Sequence, residues 1–341
     1  MHVFLYEWIT GGGLVEQQAT LPASLVAEGS AMIASLAADF SAIESCRVTV
    51  LRDARHTELT LPGCDVVEVH STSDCQVEFD RLVAIADYTL VVAPEFDGIL
   101  GCTVARVNAA GGRSLNASDE FIAITANKQR TIDRLQAAVL PVPGGIVIEA
   151  DDPKLPKDFQ YPGVLKPVIG AGSQHMLLVE GPGDEPPPYP WQRRLERFYA
   201  GRSASVAVIC GEAGVHPLPP CWQHLSNDGR FAYRGGSLIR QAPLAQRAEA
   251  LALQSLAAMP PAHGYVGVDL VLGDAADGSG DVVVEVNPRL TTSYVGLRAA
   301  VNENLAQAMI NAARGGTCSF SLRSDAVEFS ADGRVWTGNS M

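Results

Sequence analysis

The chain has 341 residues, 47% hydrophobic and 18% charged, enough for two or three packed domains. Its net charge of −13 argues against nucleic acid as a partner, because the average field repels phosphate. No run of about 18 apolar residues reads as a membrane span, the start MHVFLYEWITGGG lacks the basic and long apolar regions of a secretory signal, and seven scattered cysteines without a CxxC pair suit a reducing cytoplasm better than a disulfide or zinc framework.

In chain order, VFLYEW reads as a buried strand followed by a glycine turn. Leu21 to Phe40 carries Leu25, Met32, Ile33, Leu36 and Phe40 at helical spacing. CRVTVLRD, DVVEVH and YTLVVAPE are further strands, with helices expected around residues 78–86 and 98–110. This alternation predicts a parallel sheet covered by helices. Gly111–Gly112 stops the last helix, Ser118 caps the next, and Asn127 to Ala138 forms another that ends before Pro141 and Pro143. Strand-like segments then dominate: GIVIE, YPGVLKPV, HMLLVE, ASVAVICG and FAYRGGSLIR. Gly181–Pro190 reads as an exposed loop and Pro243–Met259 as a helix. GYVGVDLVLG and DVVVEVNP form a hairpin across the turn-rich DAADGSG. Val295–Arg314 reads as one long helix, and the tail as a small hairpin turning at Asp332–Gly333.

The late hairpin carries the strongest chemical signal. Alternate strand residues share a face, so Glu285 and Asn287 project together, Arg289 extends their line, and Asp269 faces them from the partner strand. Clustered carboxylates in an apolar sheet repel unless protonated or bridged by a cation, and hard oxygen ligands suit magnesium, or manganese in its place. The other reading is a solvated hairpin, which Val282, Val283, Val284 and Val286 oppose. A second signal is VLKPVIGAGSQH. Lys166 ends a strand, and Gly170, Ala171, Gly172 and Ser173 let backbone N–H groups approach phosphate; alone, the same residues make a tight turn. Lys128, at the start of a helix, reads alone as a surface lysine.

The order of these three signals resembles the ATP-grasp family, from about Asn116 to Arg314, with the first 115 residues similar to the domain that precedes it. The implied fold is α/β: a Rossmann-like parallel α/β domain (residues 1–115), then two α+β lobes clamping ATP (116–190 and 191–341, the latter with the C-terminal hairpin). The resemblance implies that Lys128 and Lys166 contact ATP phosphates, that Gly170–Ser173 form a mobile loop over them, and that Glu196, Arg197, Phe198 and Tyr199 form an inter-lobe linker holding adenine. Glu196 followed by Arg197 departs from the pair of acidic or amide residues in many relatives, which leaves the adenine register open by one residue. Asp269, Glu285 and Asn287 match magnesium ligands, and Arg289 matches the arginine facing the reacting carboxylate.

On the substrate side, Tyr233 and Arg240 lie in a region that supplies an arginine to the acyl phosphate in this family, with a surface arginine as the alternative. Thr291, Thr292, Ser293 and Tyr294, with the N–H groups of the next helix, could bind a substrate carboxylate; helix capping by Ser293 is equally compatible. Gly11, Gly12 and Gly13 follow the first strand, where α/β sheets bind ligands, but lack the full GxGxxG pattern of a dinucleotide site. The activity implied is an ATP-dependent carboxylate–amine ligase working through an acyl phosphate. Scattered motifs, including VFLYEWITGGG, APEFDGIL, SDEFIAITANK, YRGG and EVNPRLTTSYVGLR, are similar to the tyramine–glutamate ligases of methanofuran biosynthesis, which join the glutamate γ-carboxylate to tyramine. The resemblance leaves open other amino acid, peptide or cofactor-precursor substrates, a non-catalytic ATP-binding role, and a homodimer.

Overall fold

The computed structural model describes residues 1–17, 23–152 and 154–338. The first domain runs β1 (His2–Glu7), α1 (Ala23–Ser41), β2 (Arg47–Asp53), β3 (Asp65–Val69), α2 (Thr72–Ile85), β4 (Tyr88–Val92) and α3 (Ile99–Ala109). Its strands are all parallel in the order β3-β2-β1-β4. β4 is buried at every position, as an apolar run covered on both faces must be. Leu21, the expected start of the first helix, lies outside the described residues; from Ala23 onward Met32, Ile33, Leu36 and Phe40 are buried as their spacing predicts. One correction concerns α1. At 19 residues with mean hydropathy 1.2 it is long and apolar enough to cross a membrane, which the sequence reading did not anticipate. Its apolar stripe instead packs on β1 and β2.

Two helices lead out of this domain, α4 (Asp119–Thr125) and α5 (Lys128–Ala137). Ser118 and Asn127 cap them, accepting from the backbone N–H groups of Phe121 and Arg130. The middle sheet follows: β5 (Gly145–Ile148), β6 (Gly163–Pro167), β7 (Leu177–Val179) and β8 (Arg193–Arg197), antiparallel in the order β5-β8-β6-β7. β8 corrects the expected linker, since Glu196 and Arg197 belong to a strand that pairs with both β5 and β6. The middle sheet therefore extends past the boundary expected at residue 190. The segment RRLER resembles a solvated connector because four of its five side chains are charged; yet Arg193, Arg194 and Glu196 are buried.

The third sheet uses β9 (Arg202–Gly211), β10 (Gly214–Pro217), β11 (Cys221–Leu225), β12 (Tyr233–Leu238), β13 (Gly264–Leu272), β14 (Val282–Asn287), β15 (Ala326–Ser330) and β16 (Val335–Gly338). It is ordered β14-β13-β9-β11-β12-β15-β16, with β10 on β9. α6 (Ala242–Ala257) covers β9 and β13. The single long helix expected over 295–314 is two, α7 (Tyr294–Ala300) and α8 (Leu305–Ala313). Val301 turns extended and bridges to Leu322, and Asn304 caps α8 by accepting from the Gln307 N–H. This break folds both helices back onto α1, so that Ile33, Leu36 and Phe40 share one core with Leu297, Leu305 and Met309.

Candidate active site

The middle and third sheets face each other across a cleft of about 370 Å³. Strand periodicity decides what points into it. In the β13–β14 hairpin Asp269 lies directly opposite Glu285, and Gly267 opposite Asn287. The ladder shifts register between Asp269 and Leu270, so Val284 falls in a bulge; the regular pairing before it puts Glu285 and Asn287 on the Asp269 side. Gly267 is the small partner this face requires, because a Cβ there would lie 2.7 Å from Thr291 Cγ2. Asn287 Nδ2 donates to Asp269 Oδ2 at 3.0 Å, and Gln223 Nε2, from β11, donates to Asp269 Oδ1 at 3.0 Å.

Both lysines converge here. Lys128, expected at the surface when read alone, is buried at the start of α5, with Nζ 2.7 Å from Glu285 Oε1 and 2.9 Å from the Gly170 carbonyl. It therefore ties the small-residue loop to the hairpin. Lys166 is buried on β6, with Nζ 2.7 Å from Glu196 Oε2 and 3.4 Å from the Val284 carbonyl. Arg194 lies directly opposite Lys166 across the strand pair. Two cations facing each other would repel; Glu196, two residues along the same face, accepts from Arg194 Nε at 2.8 Å and bridges the two. Arg194 also reaches Gln129 on α5 and the Pro143 carbonyl at 3.1 Å. Sequence reasoning missed Arg194 and Gln223, since neither sits in a motif.

These charges set the acidities. Burial, then the neighbouring Glu285 charge, pushes Asp269 up to about 7. Burial also works against Glu285, but Lys128, Lys166 and Arg289 overcome it and hold Glu285 below the usual carboxylate range. Arg289 Nε donates to Glu95 Oε1 at 2.9 Å; burial opposes its charge, and Glu95 more than restores it. Two half-buried carboxylates and an amide oxygen, one carboxylate so reluctant to ionise, fit a hard divalent cation that keeps most of its coordination for phosphate and water. Among the described residues no three His, Cys, Asp or Glu side chains converge for a metal.

The cleft lining includes Gly170, Ala171, Gly172 and Ser173, and also Glu196, Arg197, Phe198 and Tyr199. Glu196 is committed to Lys166 and Arg194, Arg197 lies over the Tyr199 ring at 5.4 Å, and the Phe198 ring stacks on Phe231 at 6.4 Å. Tyr233, Thr291, Thr292 and Ser293 line the cleft as well. The Ser293 hydroxyl pairs with Thr291 Oγ1 at 2.8 Å and caps no helix. The first N–H groups of α7 bond the carbonyls of Thr291, Thr292 and Ser293, so the helix start offers no free donor there. Two expected substrate residues lie elsewhere. Tyr294 is fully buried, its hydroxyl donating to Asp39 at 2.7 Å. Arg240 is exposed and donates to the Ser324 and Asp325 carbonyls, tying down the tail.

A second cavity of about 400 Å³ opens beside the first, and Glu28, Ala171, Gly172, Gln174 and Arg289 line both. Its far walls come from the first domain: Trp8, Leu14, Leu25, Met32 and Phe96 are apolar, Glu7 and Asp97 acidic. Gly13 lines it; Gly11 and Gly12 do not. Glu28, Glu95 and this chamber were invisible to motif reading, because loop and helix residues of one domain meet the other only in the folded chain.

Comparison with known proteins agrees with this geometry. Residues 125–293 match the ATP-grasp domain and residues 46–122 the pre ATP-grasp 3 domain. The chain is 24% identical to a tyramine–L-glutamate ligase of Methanocaldococcus jannaschii, over 95% of this chain and 92% of that one. It is 28% identical to a D-alanine–D-alanine ligase of Methylorubrum extorquens over 48% of this chain and 58% of that one. A solved structure of an ATP-grasp superfamily protein from Archaeoglobus fulgidus superposes with a TM-score of 0.71 at 22% identity, covering 96% of this chain and 92% of that one. The chain belongs to the ATP-grasp family, as an ATP-dependent ligase.

Proposed function

We propose that this ligase activates a substrate carboxylate as an acyl phosphate and passes the acyl group to an amine, with the L-glutamate γ-carboxylate and tyramine as the pair. The observation that carries the reading is the convergence of Lys128, Lys166, Asp269, Glu285, Asn287 and Arg289 on one cleft. Magnesium, or manganese, held by Asp269, Glu285 and Asn287 would supply charge to the ATP phosphates. Lys128 and Lys166 neutralise the transferring phosphoryl group, and Arg289 holds the attacking carboxylate in line with it. The loop at Gly170–Ser173 excludes water from the acyl phosphate. No side-chain nucleophile takes part.

The substrate pair is supported by the near full-length likeness to a tyramine–L-glutamate ligase and by the apolar, acid-rimmed chamber, which suits an amine with a flat apolar body. ADP release with ATP and magnesium, measured against a panel of carboxylates and amines, tests the reading. ADP and an amide only when L-glutamate and tyramine are both present is the expected result. Turnover with another pair keeps the ligase chemistry and discards these substrates.

A further inference from the structure

We propose that Glu28 receives the ammonium of the incoming amine and takes its proton, making it a catalytic residue supplied by the first domain. The inference rests on the ligase reading above and adds a role that none of the ATP-contacting residues can fill. An alkylammonium has no lone pair; it must lose a proton before it can attack an acyl carbon, and the acceptor of that proton must be within hydrogen-bond reach.

The carboxylates of the two cavities differ in what already occupies them. Glu196 is shared by Lys166 and Arg194, and Glu285 is paired with Lys128. Asp269 accepts from Gln223 and Asn287. Glu7 accepts from the Ile9 and Thr10 N–H groups and the Thr10 hydroxyl. Asp97 lines the chamber but not the cleft. Glu28 lines both and so stands where they meet. One of its oxygens accepts from the Thr292 hydroxyl, a neutral donor. Among the described residues its other oxygen has no hydrogen-bond partner, and no cation is paired with it. Arg289, which shares the junction, is engaged by Glu95. A carboxylate with spare acceptor capacity therefore sits where the apolar chamber joins the cleft, in the same stretch of lining as the arginine placed on the reacting carboxylate. The Thr292 bond fixes it across the domain boundary, from α1 to the loop that follows the β14 residues.

The step balances as follows. The ammonium of the amine, its apolar body against Trp8 and Phe96, gives one proton to Glu28. The freed lone pair attacks the acyl carbon, a C–N bond forms, and the C–O bond to phosphate breaks with its electron pair on the departing phosphate. The second nitrogen proton passes to that phosphate, leaving an amide and hydrogen phosphate. Glu28 returns its proton to water when the product leaves.

The test compares two acceptors. Hydroxylamine is largely unprotonated at neutral pH and already carries a free lone pair, so it needs no acceptor for a first proton, whereas tyramine does. In Glu28→Gln, with ATP, magnesium and L-glutamate, amide formation from tyramine falls about 10²–10³-fold, while hydroxamate formation keeps a far larger share of the wild-type rate. Glu28→Asp recovers part of the amide rate. Equal loss with both acceptors makes Glu28 structural, and no loss with either removes it from the reaction; both overturn the proposal. A wild-type enzyme that forms hydroxamate from no carboxylate sinks the ligase reading itself, an outcome visible before any variant is made.

Discussion

The cleft between the sheets and the chamber beside it share five lining residues yet are built by different means. The cleft is made by sheets, and each lysine or arginine that it holds by a buried ion pair is matched to a carboxylate: Lys128 to Glu285, Lys166 to Glu196, Arg289 to Glu95. The chamber is made by strand ends, loops and one helix face, and its walls are mostly apolar. Ion pairs of buried groups fix geometry at the expense of desolvation, which suits the triphosphate site proposed for this cleft. Apolar loop walls fix little beyond shape and polarity, which suits a site whose occupant differs between related enzymes.

The first way to break this contrast is to remove a cleft charge. Glu285→Gln should lower magnesium-dependent turnover by about 10²–10³-fold while circular dichroism and cooperative unfolding stay those of the wild type; a fully active variant would remove Glu285 from metal binding. Next comes stability. Glu196→Gln leaves Lys166 and Arg194 facing each other in the middle sheet without their common anion, and urea denaturation should record a loss of about 3–5 kcal/mol. A loss below about 1 kcal/mol would mean that water reaches the pair and that the cleft is less dry than its burial indicates. The smallest effect sharpens the border of the site. Tyr294→Phe deletes one buried hydrogen bond to Asp39, which Arg298 continues to hold. Stability should fall by about 1 kcal/mol with turnover unchanged; a fall in turnover would return Tyr294 to the substrate region.

The sequence made the cleft legible where chemistry and period coincide. Glu285 and Asn287 alternate within a valine strand, so their common face follows from strand geometry alone. Lys166 was legible for another reason, as the end of a strand followed by the small residues Gly170–Ser173. Lys128 carried no such signal: its burial depends on Glu285 and on the Gly170 carbonyl, both distant in sequence. β8 was illegible because charge density is a local property while charge neutralisation is a tertiary one; Arg194 and Glu196 look solvated until Lys166 is set opposite them. The split between α7 and α8 was written in Asn302-Glu303-Asn304, whose final asparagine caps α8, but the apolar stripe ran on through it and masked the break. Arg240 was placed on a family pattern alone, and nothing local indicated that the tail would claim it.

The core shared by α1, α7 and α8 bears on how the polypeptide acquires its shape during synthesis. Part of the packing on α1 is contributed by α7 and α8, segments translated long after it. Until those are made, Ile33, Leu36 and Phe40 lack the cover that α7 and α8 give them in the folded chain. Glu28, carried on α1, thus shares its helix with a face that is closed only once α7 and α8 have been made.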